Sequence, residues 1–249
     1  MRLIFIILVL LLAVRPATAD EAEGGCSALS YGGIAYTHCM IDPAGSEMRI
    51  YHRDPQGRPF GSFDSLARQL WKERHYPIIA MNGGMYHDDL SAVGLFVEYG
   101  FERQAISTKA GWGNFHLLPN GVFWLKDGRA GVTETLRYLK DKVEAAYATQ
   151  SGPMLVIDGQ IHPRFLPDSD SLKIRNGIGV DGAGRVHMVI SEAPVRFHDF
   201  AMLFRDRLGC RNALYLDGTI SSLYVAGTDR HDRLFPLGPI IAVIGTVPQ

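Results

Sequence analysis

The sequence predicts an α+β fold, a single domain of mixed or largely antiparallel sheets with a few flanking helices. Three observations carry that expectation. Apolar runs are joined by hairpin signals, as at Asp158-Gly159 and Asp181-Gly182-Ala183-Gly184. Helical spacing of apolar residues occurs in only a few places, and strands do not alternate strictly with helices as they do around a parallel sheet. No Pro/Gly/Ser linker, low-complexity stretch or repeat divides the 249 residues.

In chain order, Ile34 to Tyr51 reads as strand broken by a turn at Asp42-Pro43-Ala44-Gly45. Ser62 to His75 places Phe63, Leu66, Leu70 and Trp71 at helical spacing, with Ser62 as the N-cap. The buried run Tyr76-Pro77-Ile78-Ile79-Ala80-Met81 then delivers Asn82-Gly83-Gly84. Gly94 to Tyr99 and Gly121 to Leu125 are strands closed by Gly100 and by Lys126-Asp127-Gly128, and Thr133 to Val143 is expected to be helical. Met154 to Ile157 turns through Asp158-Gly159 into Ile161, and Ile178 to Val180 pairs with Val186 to Ile190. Val195 to Leu208 puts Phe197, Phe200, Ala201, Phe204 and Leu208 on one helical face and ends at Gly209. Ala213 to Leu216 and Ile240 to Ile244 are the last strands.

Residues 1–19 read as a cleaved export signal: Arg2, an apolar run from Leu3 to Val14, then Ala17-Thr18-Ala19 before Asp20. The run falls short of the roughly 20 residues a spanning helix needs, so no membrane span is expected after cleavage. The domain then covers 20–249, and the protein is expected in the periplasm or outside the cell. Losing Arg2 and Arg15 leaves 23 basic against 26 acidic residues, which excludes an electrostatic nucleic-acid binder. Of three cysteines, Cys26 and Cys39 flank a hairpin through Gly32-Gly33 and are placed to bridge, while Cys210 suits a buried, inert thiol.

Familiar motifs are missing or misplaced. Gly177-Ile178-Gly179-Val180-Asp181-Gly182 matches GxGxxG, but a strand follows where the dinucleotide fingerprint needs a helix. There is no GxxxxGK[ST], GxSxG or HExxH, and Asp168-Ser169-Asp170 lacks the later ligands of a calcium loop. The histidines lack ligand-like spacing. His116 and His87 are kept as pocket residues.

Chemistry concentrates instead in four glycine-bearing polar segments at the ends of apolar strands. They are Asn82-Gly83-Gly84-Met85-Tyr86, Gln150-Ser151-Gly152-Pro153, Arg175-Asn176-Gly177-Ile178-Gly179 and Leu216-Asp217-Gly218-Thr219-Ile220-Ser221-Ser222. Glycine admits close backbone approach, and the Asn, Gln, Ser, Arg and Asp side chains supply what an anionic, hydroxyl-rich ligand needs. Two readings of Asn82-Gly83-Gly84 stand side by side, a tight turn and a site. Arg175 is the best phosphate-clamp candidate by residue type, beside the more common reading of a solvated or surface-paired arginine. Asp217, directly after a buried strand, either braces its own turn or has a chemical task. Glu192 is a second carboxylate for the same region. No cofactor is required by the sequence, and Asp88 and Asp89 are the carboxylates open to a divalent cation.

These four segments, with Gly94-Leu95, resemble the phosphodiester glycosidase family, which removes a sugar such as N-acetylglucosamine from a sugar phosphodiester. The matching motifs lie within residues 76–246. Asn114-Phe115-His116, Pro119-Asn120-Gly121-Val122-Phe123 and Leu208-Gly209-Cys210 are similar to an exported bacterial branch. The resemblance implies a site lined by Asn82, Gly84, Ser151, Arg175, Asp217, Gly218 and Ser222, with a sugar phosphodiester or phosphorylated glycan as its partner. Asp217, Asn82 and Arg175 would be catalytic; Gln150, Gly152, His116 and Glu192 join the substrate-binding set. The family pattern has three glycines after the aspartate, where this chain has Gly218-Thr219-Ile220, a change expected to reshape the pocket. A non-catalytic envelope protein binding glycans or polyanions through the same pocket is the alternative.

Overall fold

The computed structural model describes residues 25–248, so the expected export signal at 1–19 lies outside the described residues. Every named strand pair is antiparallel, and the strands form three sheets. The largest sheet orders β1 (Cys26–Tyr31), β2 (Ile34–Ile41), β13 (Val186–Ser191), β12 (Asn176–Asp181), β14 (Cys210–Asp217), β10 (Met154–Ile157) and β11 (Gln160–Ile161). A second sheet orders β15 (Leu223–Val225), β4 (His75–Asn82), β16 (Ile240–Thr246) and β3 (Glu47–Tyr51). The third orders β6 (Phe101–Gln104), β5 (Phe96–Glu98), β9 (Tyr147–Ser151), β7 (Gly121–Lys126) and β8 (Arg129–Glu134).

Side-chain alternation explains how the sheets pack. Along β14, Leu214 and Leu216 enter a central core with Ile41, Met81, Phe123 and Ile241, contributed by all three sheets. Ala213 and Tyr215, one residue out of phase, pack with Phe200 and Phe204 under α3 (Phe197–Met202). Both faces are covered, which is why this strand reads as an unbroken apolar run. Helix α1 (Phe63–Lys72) covers the second sheet with Phe63, Leu66 and Leu70, and the Ser62 hydroxyl accepts from the Ser65 N–H at 3.2 Å, the cap its sequence position implies. Helix α2 (Thr135–Asp141) starts later than its periodicity suggests, because 129–134 pair with β7 as β8. Helix α3 is also short: the segment continues as a π-helical turn over Leu203–Arg207 before Gly209 ends it at φ +66°.

Cys26 and Cys39 face each other in the β1–β2 register and form a disulfide, while Cys210 is a buried free thiol. Intact-mass analysis after alkylation under denaturing, non-reducing conditions should therefore find one modified cysteine; three would refute the bridge.

One buried polar chain ties β2, β13 and β12. His38 Nε2 lies 2.9 Å from His187 Nδ1, and His187 Nε2 lies 3.1 Å from Asp181 Oδ2. With Asp181 ionised, His187 donates to it and accepts from His38, so both rings are neutral. Burial, then the neighbouring His187, lower the His38 pKa to about 4. A depressed histidine pKa means that the unfolded chain binds more protons between pH 6.5 and 4, so stability is lost as pH falls through that window. Loss of about 1–3 kcal/mol is expected over it, at roughly 1.4 kcal/mol per pKa unit. His38→Gln should flatten the thermal-melt profile; an unchanged slope would contradict the coupling.

Candidate active site

The C-terminal ends of β4, β9 and β14 and the start of β12 meet at one corner of the molecule, and buried amide and hydroxyl groups join them. Asn82 Oδ1, at the end of β4, accepts from Asn176 Nδ2 and from the Ser222 N–H, each at 2.8 Å. Asn176 Oδ1 in turn accepts from the Asp217 N–H at 2.9 Å. Ser151 Oγ donates to the Leu216 carbonyl at 3.1 Å, fixing the end of β9 to that of β14. Asn82, Asn176, Ser151 and Ser222 are all buried, and Asn82 Nδ2 has no hydrogen-bond partner among the described residues.

The chain after Asn82 is not a tight hairpin turn. Gly83 passes beside β16, its N–H bonded to the Pro239 carbonyl, and a Cβ there would lie 3.0 Å from Ile241. Gly84, at φ +143°, passes the end of β9, where a Cβ would meet Thr149 Oγ1 at 3.0 Å and the Ser151 side chain at 3.6 Å. These glycines let one backbone thread between two sheets at close range.

Asp217 stands at the centre of the corner. Its Oδ1 accepts from the N–H groups of Gly218, Thr219 and Ile220, holding the turn, while Oδ2 has no protein hydrogen bond among the described residues. Burial raises its pKa, opposed by the Thr219, Gly218 and Ile220 N–H groups. One oxygen braces the loop and the other is left to a ligand or water. Gly218 is sterically required, since a Cβ would lie 2.0 Å from the Tyr215 hydroxyl. Thr219 and Ile220 sit at ordinary negative φ, and Ile220 packs against the apolar cluster beneath α1. The bulk that replaces two glycines of the family pattern is thus partly absorbed by the core.

Arg175 is 1 % exposed. Its Nε donates to the Val195 carbonyl at 2.8 Å and Nη2 to the Ser171 carbonyl at 3.0 Å, with Phe197 stacked 3.6 Å below the guanidinium. Nη1 reaches Tyr215 Oη at 3.4 Å and lies 3.6 Å from where a Gly218 Cβ would be. No carboxylate among the described residues pairs with it. The guanidinium is therefore not an open fork; its uncompensated charge acts on the corner across Gly218 and through Tyr215. Asn114, from the loop before β7, also bonds the Tyr215 hydroxyl.

Other sequence candidates are engaged elsewhere. The Gln150 amide is taken up by Leu95 and Ser107 N–H groups, the Ser107 carbonyl and Thr135 Oγ1, so it organises the 105–107 loop. Gly152 lets that strand end pass Asn120, where a Cβ would come within 2.6 Å. His116 Nδ1 lies 2.9 Å from the Lys109 carbonyl and closes its own loop. Glu192 accepts from Thr37 Oγ1, and both of its oxygens accept from Arg230 Nη1 at 2.8 Å. Asp89 braces a turn through Ser91, and with Asp88, His87 and Tyr86 lines an open recess. No group of three or more His, Cys, Asp or Glu residues near enough to hold a metal occurs among the described residues. Sequence reading missed Asn176, Tyr215 and Asn114 as site residues; Asn176 was visible within the Arg175–Gly179 segment.

An antiparallel α+β domain whose polar site lies where strand ends of separate sheets converge is the architectural class. A phosphodiester glycosidase family model matches residues 75–243, and the chain belongs to that family. It is 32 % identical over 234 residues to the uncharacterized protein YigE of Escherichia coli K12, covering 94 % of this chain and 91 % of the relative. Among solved structures it is similar to the catalytic domain of zebrafish N-acetylglucosamine-1-phosphodiester alpha-N-acetylglucosaminidase, auto-inhibited by its pro-peptide. That match has a TM-score of 0.61 at 13 % identity and covers 88 % of this chain and 81 % of that one. A protein of Burkholderia pseudomallei K96243 described as exported gives a TM-score of 0.55 at 12 % identity, over 84 % and 74 % of the two chains.

Proposed function

We propose that the protein is an exported hydrolase of a glycosyl phosphodiester in envelope or extracellular glycans. The observation that carries this reading is the Asp217 corner: a desolvated carboxylate with one oxygen held by three backbone N–H groups, beside a buried guanidinium, where neither the other oxygen nor the guanidinium has a charged partner among the described residues. Asp217 Oδ2 takes a proton from water, and the water oxygen attacks the sugar carbon as its bond to the phosphate oxygen breaks. The Arg175 charge and the backbone N–H groups near Gly84 and Gly218 stabilise the anionic leaving group, and Asn82 Nδ2 donates to sugar or phosphate. The Cys26–Cys39 bridge supports an oxidising compartment.

A liberated-product assay on a panel of sugar-1-phosphodiesters, with and without chelator, tests the reading. Cleavage of at least one member is expected, and chelator separates a metal-assisted hydrolysis from one run by Asp217 without a cation. Glycan binding with no cleavage anywhere in the panel would replace the hydrolase by a binding protein. Arg175→Lys retains charge but loses bonds to Val195 and Ser171, so it should lower stability by about 1–3 kcal/mol. It should also raise KM for a phosphodiester more than the dissociation constant for the neutral sugar; equal changes would show that Arg175 does not serve the anion.

A further inference from the structure

A cleft of about 550 Å³ lies between α1, the end of β3 and the β5–β6 hairpin. Tyr51, Phe60 and Phe96 are buried and form its floor, Tyr99 is its one open aromatic, and Gln69, Glu98, Arg103 and Gln104 give it polar groups. Tyr99 is 51 % exposed and held at φ +53°, a conformation rare for an aromatic residue and found where surrounding structure enforces it. The cleft is not isolated from the Asp217 corner. Ser91 lines both it and the recess formed with Tyr86, His87, Asp88 and Asp89. Tyr86 follows Asn82 by four residues, pairs with Ala92 across a short hairpin, and bonds the Pro236 carbonyl. Burial, and then the Asp217 charge, raise its phenol pKa. The recess that Tyr86 and Ser91 line, reached four residues beyond Asn82, therefore adjoins the cleft.

The lining selects the occupant. The exposed Tyr99 ring matches the apolar face of one sugar ring, and a carboxylate with two amides matches its hydroxyls. Arg53 and Arg103 stand with Asp54, Glu73 and Glu98 in the lining, so no one sign of charge dominates it, which disfavours a polyanion. The spread of polar groups disfavours an acyl chain.

We propose that this cleft is a distal subsite for a neutral oligosaccharide, which gives the enzyme its preference for a polymeric glycan over a single sugar. At the Asp217 end this rests on the phosphodiester reading; binding within the cleft does not. Calorimetric titration of the full chain with cellotetraose and chitotetraose provides the test. Wild type should bind at least one of them, and Tyr99→Ala, Glu98→Gln and Gln104→Ala should each weaken that binding about tenfold, equivalent to about 1.4 kcal/mol. Glu98→Gln and Gln104→Ala should retain the wild-type melting temperature, Tyr99→Ala should lower it through the lost contact with Tyr147, and all three should retain wild-type kcat/KM on a single-sugar phosphodiester. Absence of binding to both tetrasaccharides, or unchanged affinity in folded Glu98→Gln and Gln104→Ala, would overturn the subsite. If tetrasaccharide binding behaves as expected while no phosphodiester is cleaved, the catalytic reading fails and the subsite stands.

Discussion

Asp217→Asn is expected to lower turnover by about 100-fold or more while the protein stays folded. The two carboxylate oxygens have separable tasks. An asparagine Oδ1 still accepts from the Gly218, Thr219 and Ile220 N–H groups, so the turn survives, whereas the basic Oδ2 is replaced by a donor. Asp217→Ala removes both, and should add a stability loss of about 1–3 kcal/mol for the turn N–H groups left unpaired. The base must be ionised to act, and burial raises its pKa. Activity should consequently fall as pH drops through a value above the ordinary carboxylate range. Turnover and thermal melts on the same samples separate the roles: normal turnover in a folded Asp217→Asn protein would reduce Asp217 to a turn brace.

Asn82→Ala should destabilise the protein by about 2–4 kcal/mol, since it strands the Ser222 N–H and the Asn176 amide, each worth about 1–3 kcal/mol when left unsatisfied. That is a large share of a typical stability of about 5–15 kcal/mol. Asn82→Asp keeps both Oδ1 bonds but buries a carboxyl at the Asp217 corner, so it should cost stability as well as remove the Nδ2 donor, and KM should rise beyond what the stability loss explains. Denaturant unfolding and KM measured together check this split, and equal, small effects from both substitutions would show that Asn82 does not hold the corner.

The fold was legible where a local pattern carries the physics. Unbroken apolar strands such as Ala213 to Leu216 are covered on both faces, and Asp158-Gly159 and the Asp181–Gly184 turn close hairpins where their residue types require them. β8 was not legible because its pairing with β7 is tertiary, and the π-helical turn at 203–207 departs from the 3.6-residue period that the apolar spacing suggests. At the site, glycine-bearing segments at strand ends located the corner. Side-chain assignments within it were less readable, because they depend on partners remote in sequence. Gln150 bonds residues 43 and 55 positions away, and Glu192 is drawn to Thr37, 155 positions away. Arg175 looked like a fork open to phosphate; the sequence does not reveal that Val195 and Ser171 occupy two of its edges. Ile220 could be judged only against the family's glycines until its place beneath α1 was seen.

Hydrolysis of an N-acetylglucosamine-1-phosphodiester in ¹⁸O-labelled water tests the central claim most directly. Attack at the sugar carbon by water activated at Asp217 predicts free sugar carrying the label and an unlabelled phosphomonoester, with the signal collapsing in Asp217→Asn. Label in the phosphate, or undiminished product from the variant, would contradict the mechanism at this corner.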